Sequence, residues 1–123
     1  MKVISTEKAP SAIGPYSQAV VSGNLLYTSG QIPIIPETGE LAQGLEAQAH
    51  QVFRNLAALL KAAGSDMSHA VKTTVFIKNM ADFAAINAVY AQYFSEPYPA
   101  RSCVEEARLP KDVLLECEVI AEI

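Results

Sequence analysis

The chain reads as an α+β protein: a mixed sheet with two helices on one face, in the order β-β-β-α-β-α-β-β. Three observations predict it. Two segments carry apolar residues at helical spacing. The segments around them are short, β-branched or alternating, as strands are. Gly and Pro stand between these segments and mark the connections. At 123 residues, with no repeat, charge block or low-complexity stretch, the chain is one domain spanning 1–123.

Taken in order, three strands precede the first helix, and two of them have clear bounds. Val20-Val21 and Leu25–Thr28 flank Ser22-Gly23-Asn24, a tight turn between two short strands. Ile32–Gly44 contains Pro33, Pro36, Gly39 and Gly44 and reads as a loop. Leu45–Ala63 is the first helix. Leu45, Ala49, Val52, Phe53, Leu56, Leu59, Leu60 and Ala63 form its apolar stripe, with Gln48, Gln51, Arg54, Asn55 and Lys61 largely off it. Gly64 is placed to end it. Val71–Ile77 is a β-branched and aromatic strand. Asp82–Phe94 is the second helix, with Phe83, Ile86, Tyr90, Tyr93 and Phe94 on one side, and Pro97 and Pro99 bar its continuation. Arg101–Ala107 and Val113–Ile123 read as strands joined around Leu109-Pro110-Lys111-Asp112.

Two helices can cover one face of such a sheet. In the last strand Leu115, Cys117, Val119, Ala121 and Ile123 form a wholly apolar face, and Leu114, Glu116, Glu118, Ile120 and Glu122 form a mixed one. Neither is plainly a solvent face. With half the chain hydrophobic and only 18% charged, the second sheet face is expected to be covered by another subunit.

Composition excludes several function classes. The longest apolar run, Leu56–Leu60, is far short of the roughly 20 residues of a membrane helix. The start has no apolar stretch of a signal peptide, and two cysteines form no disulfide framework. An intracellular, cytoplasmic and reduced protein is expected. A net charge of −4 argues against a general nucleic-acid surface. His50 and His69, the only histidines, make neither a metal motif nor a Ser-His-Asp or Cys-His arrangement. No Gly-rich phosphate loop is present, so neither metal nor nucleotide cofactor is expected.

Three residues stand out. Arg101, one of three arginines, opens an otherwise apolar strand, with Cys103 and Glu105 on the same face. It is either paired to a carboxylate structurally or is a receptor that grips an anion through two parallel hydrogen bonds. Glu116 lies in the middle of an apolar strand. If the last two strands form a hairpin, Cys103 faces it approximately. Glu116 is then half of an Arg–Glu pair, or a partly buried carboxylate with a raised pKa that can act as a general base. Asn87 lies within the apolar stripe of the second helix, where a buried amide requires a partner, either a ligand or the backbone.

Three separated segments resemble one family. They are Ala12-Ile13-Gly14-Pro15-Tyr16-Ser17-Gln18-Ala19; Thr28-Ser29-Gly30-Gln31-Ile32-Pro33; and Pro99-Ala100-Arg101-Ser102-Cys103-Val104 running on to Ala107-Arg108-Leu109-Pro110-Lys111-Asp112. They resemble the RidA (YjgF) family of reactive-intermediate deaminases, over essentially the whole chain. The resemblance implies a chorismate-mutase-like α+β fold in a homotrimer with clefts between subunits. It implies hydrolysis, without cofactor or metal, of 2-imino acids or their enamine tautomers to 2-keto acids and ammonia. It assigns carboxylate binding to Arg101, water activation to Glu116 and the neighbouring family cysteine to Cys103. The remaining pocket positions fall on Tyr16, Ser29, Gly30 and Asn87. Two departures are visible. The connection Ser95-Glu96-Pro97-Tyr98 is a few residues shorter than usual, and Cys117 follows the glutamate where isoleucine or methionine is commoner. A 2-keto acid binding module on the same cleft, or a ribonuclease that inhibits translation, are the competing functions. The binder would not require Glu116, and the ribonuclease fits poorly with the negative charge.

Overall fold

A computed structural model describes residues 1–123. It contains strands β1 (Lys2–Ile4), β2 (Ala19–Ser22), β3 (Leu25–Thr28), β4 (Ala70–Ile77), β5 (Ala100–Glu105) and β6 (Leu115–Glu122), with helices α1 (Leu45–Ala62) and α2 (Phe83–Tyr90). The six strands form one sheet in the order β1-β2-β3-β6-β4-β5, in which only the β4–β5 pair is parallel. The predicted α+β class and element order are those observed.

α1 buries Ala49, Val52, Phe53, Leu56 and Leu60 in the core it shares with the sheet, and Leu59 is buried as well. It ends at Ala63, where Gly64 takes a φ of 81° that a side chain would resist. α2 is shorter than its apolar pattern suggests. It begins after a 3₁₀ turn at Met80–Asp82 and gives way at Tyr90 to turns with three-residue hydrogen bonds. Both helices lie on the same sheet face, over Leu26, Val75, Ile77, Leu115, Cys117, Val119 and Ala121.

The structure corrects two sequence expectations. The last two strands are not a hairpin, because β4 lies between them, parallel to β5 and antiparallel to β6. The connection crosses from one to the other through Pro110–Asp112, where Lys111 and Asp112 both take left-handed backbone angles. Gln48 and Asn55, read as off the buried stripe, are themselves buried. Asn55 donates to the carbonyls of Ile32 and Ile34, at 3.2 and 3.0 Å. Gln48 donates to Ala42 O and accepts from Leu114 N–H. The 32–44 loop is thus sewn onto α1 by two amide side chains.

The second sheet face carries no helix. Alternation puts Val3, Val20, Tyr27, Ile120, Phe76 and Val104 on it, between Lys72, Glu116 and Glu118. Val3, Tyr27 and Val104 are exposed and the other three half-buried. No helix of the protein is long and apolar enough to cross a membrane.

Candidate active site

Arg101 sits on β5, the edge strand. Its Cα pairs with Thr73, which in turn pairs with Val119, so the Arg101 side chain leaves on the helix-covered face. There it meets α2. The guanidinium carbon lies 4.7 Å from the Tyr90 ring centre and 5.3 Å from that of Phe83. Nη1–H donates to Asn87 Oδ1 at 2.7 Å. No carboxylate of the chain lies within ion-pair distance of it. The structural-pair reading of Arg101 is therefore excluded within the protomer. Asn87 is exposed, so the expected buried amide is corrected. Within the protomer its Oδ1 accepts from the arginine rather than from a backbone group. Arg101, Asn87 and Tyr90, with Ala91, Tyr98 and Pro99, line a cleft of about 490 Å³.

Glu116 leaves the sheet on the other face. It pairs with Phe76, two register positions beyond Glu118, while Cys103, Val75 and Cys117 form a row on the helix side. The expectation that Cys103 faces Glu116 fails, since a strand intervenes and the two side chains point to opposite faces. The neighbour of Glu116 is Gly30, where a Cβ would stand 2.6 Å from Glu116 Oε1 and 2.9 Å from its Cδ. No residue but glycine lets the carboxylate lie there. The Gly30 N–H has no backbone acceptor. Gly30, Tyr16, Gln31 and Lys111 share a second cleft, of about 320 Å³.

Electrostatics sets the two groups apart. Burial raises the Glu116 pKa, and the charges of Glu118 and Glu106 push it further the same way. Burial likewise raises Cys103, opposed by the nearby Arg101 charge, so its thiol stays protonated at neutral pH. The Ser29 hydroxyl donates to Ser17 O at 2.6 Å, which leaves only its lone pairs for a ligand. Tyr16 is exposed and accepts a long bond from Ile13 N–H at 3.4 Å.

The predicted site residues thus fall into two half-sites. Arg101, Asn87 and Cys103 lie at the β5 edge on the helix side. Glu116, Gly30, Ser29 and Tyr16 lie toward the other face. The protomer does not bring Arg101 and Glu116 together. Sequence reasoning took Phe83 and Tyr90 for core residues only and missed their contact with Arg101. Their spacing around Asn87, four residues before and three after, was the available signal. A surface hollow of about 700 Å³ against His50, Gln51 and Arg54 contains none of the predicted residues.

A guanidinium without a carboxylate partner in the protomer, on this sheet and helix order, is the setting in which comparison places the chain. The family described as Endoribonuclease L-PSP matches residues 6–123, and the chain belongs to it, the family that the RidA (YjgF) motifs resemble. Among its relatives is the 2-iminobutanoate/2-iminopropanoate deaminase of Escherichia coli K12, 54% identical over 98% of this chain and 96% of that protein. RidA of the Antarctic bacterium Psychrobacter sp. PAMC 21119 has a solved structure that superposes with a TM-score of 0.97, at 48% identity and full coverage of both chains. Escherichia coli TdcF, solved with bound serine, superposes with a TM-score of 0.95 at 48% identity, covering 100% of this chain and 99% of that one.

Proposed function

We propose that the protein is a cofactor-independent hydrolase that converts reactive 2-imino acids, such as 2-iminopropanoate and 2-iminobutanoate, into 2-keto acids and ammonia. The observation that carries this reading is Arg101: a positioned guanidinium with no internal carboxylate to neutralise it. The name of the Escherichia coli relative supports the substrate class.

In this reading Arg101 grips the substrate carboxylate through two parallel hydrogen bonds. Asn87 holds the guanidinium, and the Gly30 N–H and Tyr16 line the opposite wall. Glu116, aided by the carbonyl of Cys103, holds a water. As the water oxygen adds to the C=N carbon, Glu116 takes its proton. The imine enters protonated, and the tetrahedral adduct receives the water proton from Glu116 on nitrogen. The C–N bond breaks as the adduct's hydroxyl returns its proton to Glu116 and becomes the keto C=O. Ammonia leaves with its electron pair and carries that proton away. An iminium carbon is already electrophilic, so positioning and one proton shuttle suffice. Cys103 serves through its backbone, and its protonated thiol is no nucleophile.

The separation of Arg101 and Glu116 on opposite sheet faces supports a site completed by two copies of the chain. A homotrimer, with one cleft per interface, is the assembly proposed. Its copies would cover the apolar residues Val3, Tyr27 and Val104. The same reading puts the protein in the cytoplasm, where Cys103 and Cys117, separated by Val75, remain thiols. The raised pKa of Glu116 favours hydrolysis over mere binding of a keto acid, and a charge of −4 favours either over a nucleic-acid substrate.

The test is ammonia and 2-keto acid release from a threonine dehydratase reaction that generates 2-iminobutanoate. Addition of the protein should accelerate release above spontaneous hydrolysis. Saturable 2-oxobutanoate binding without acceleration would establish the binding module instead.

A further inference from the structure

The Arg101 guanidinium rests on an aromatic ring that is itself tied down. Tyr90 is 6% exposed, and its hydroxyl shares a 2.9 Å hydrogen bond with the hydroxyl of Thr73, which is fully buried. The ring stacks on Phe94, with centroids 4.2 Å apart and planes 26° apart, and meets Phe53 edge-on at 5.6 Å. Thr73 is also the β4 residue whose Cα pairs with Arg101. One position in β4 therefore sets both the backbone of the arginine and the hydroxyl of the ring beneath it.

A purely apolar role does not account for this pair. Phe53 and Phe94 fill the same aromatic cluster without a hydroxyl. Two buried hydroxyls whose hydrogen bond is to one another contribute little net stability over apolar groups of the same shape. What the pair adds is direction, because a hydrogen bond at the tip stops the ring from sliding or tilting. Burial raises the Tyr90 pKa against the opposing effects of Thr73 and Arg101, so the phenol keeps its proton.

We propose that Tyr90, held by Thr73, is a positioning residue that sets the plane of the Arg101 guanidinium. This rests on the carboxylate-binding reading of Arg101. With its carbon held over the ring at 4.7 Å and one N–H donated to Asn87, the guanidinium has further N–H groups for a carboxylate lying in its own plane. The ring thereby fixes the plane of the bound carboxylate, and through it the face of the adjacent carbon presented to water. Phe83, farther off at 5.3 Å, is a second wall.

Three variants test it: Tyr90→Leu, Tyr90→Phe, and Tyr90→Phe combined with Thr73→Val. The last removes both hydroxyls and leaves no buried polar group unpaired. Each is measured for thermal stability, for 2-oxobutanoate binding by calorimetry, and for kcat and KM separately in the dehydratase-coupled assay. Loss of the cation–π face in Tyr90→Leu should weaken binding about tenfold. Tyr90→Phe should keep binding within about twofold, since the ring remains, but lower kcat several-fold. The double variant should recover the melting temperature of the wild type without recovering kcat. A double variant with both wild-type stability and wild-type kcat overturns the proposal, as does a folded Tyr90→Leu protein that binds and turns over normally. Arg101→Lys serves as the control. If it leaves 2-oxobutanoate binding unchanged, the carboxylate reading fails. If it abolishes binding while the Tyr90 and Thr73 variants behave as wild type, the positioning role alone fails.

Discussion

Arg101 and Glu116 carry the predictions that belong to single residues. Arg101→Lys keeps the charge and loses the flat fork over Tyr90 that the proposed grip on two carboxylate oxygens requires. We expect kcat/KM on 2-iminopropanoate to fall by about a hundredfold, the worth of one or two charge-assisted hydrogen bonds. Near-normal turnover would dismiss the assignment. Glu116→Gln should lose hydrolysis and keep 2-oxobutanoate binding. Its raised pKa also has a signed consequence. A base works when deprotonated, so the acid limb of wild-type kcat/KM should lie above pH 4.5, the ordinary value for this carboxyl. The same shift acts on stability. A carboxyl whose folded pKa is raised favours the native state when protonated, and that contribution is lost as pH rises through the folded pKa. Glu116→Gln should therefore melt higher than the wild type at pH 7 and lose this advantage as pH falls through the raised folded pKa to 4.5. Melting curves at the two pH values check it. Gly30→Ala, whose new methyl would stand 2.6 Å from Glu116 Oε1, should cost activity through displacement of that carboxylate.

Among elements, the loop between β3 and α1 depends on one side chain. Asn55 is 1% exposed and satisfies two loop carbonyls. Asn55→Ala strands both, and we expect a loss of about 2–4 kcal/mol in denaturant unfolding. A loss below 1 kcal/mol would show that the loop holds itself. This dependence was hidden in the sequence, because a polar residue in a helix reads as solvated unless the carbonyls that need it are known. The β5–β6 connection was misread for a related reason. Strands adjacent in sequence usually pair, and Leu109–Asp112 looks like a turn. Only the parallel β4–β5 register, imposed by the α2 crossover, shows that a third strand lies between. α1 and β3, by contrast, carry their bounds in residue type alone: a strict apolar stripe closed by Gly64, and a four-residue run after Ser22-Gly23-Asn24.

For the whole molecule, the candidate residues were legible one by one and their arrangement was not. A lone arginine in an apolar strand and a carboxylate flanked by apolar neighbours are visible in a string of letters. Which face each occupies depends on strand order, and the missing hairpin reverses the inference. The division into two half-sites makes a prediction for the assembly. Arg101→Lys and Glu116→Gln proteins, each inactive alone, should regain activity when refolded together. In a cyclic trimer with one cleft per interface, an equal mixture restores about a quarter of wild-type activity. No recovery in confirmed mixed oligomers would mean that both groups act from one protomer.

The position of β6 in the sheet has a consequence for synthesis. The strand at residues 115–122 joins β3 on one side to β4 on the other. Until it emerges from the ribosome, the β1–β3 meander and the β4–α2–β5 unit have no hydrogen-bonded connection. Each would expose strand edges that the finished sheet pairs. Nascent chains stalled before Leu115 should therefore resist folding and recruit holding chaperones, with native structure appearing only after β6 clears the exit tunnel.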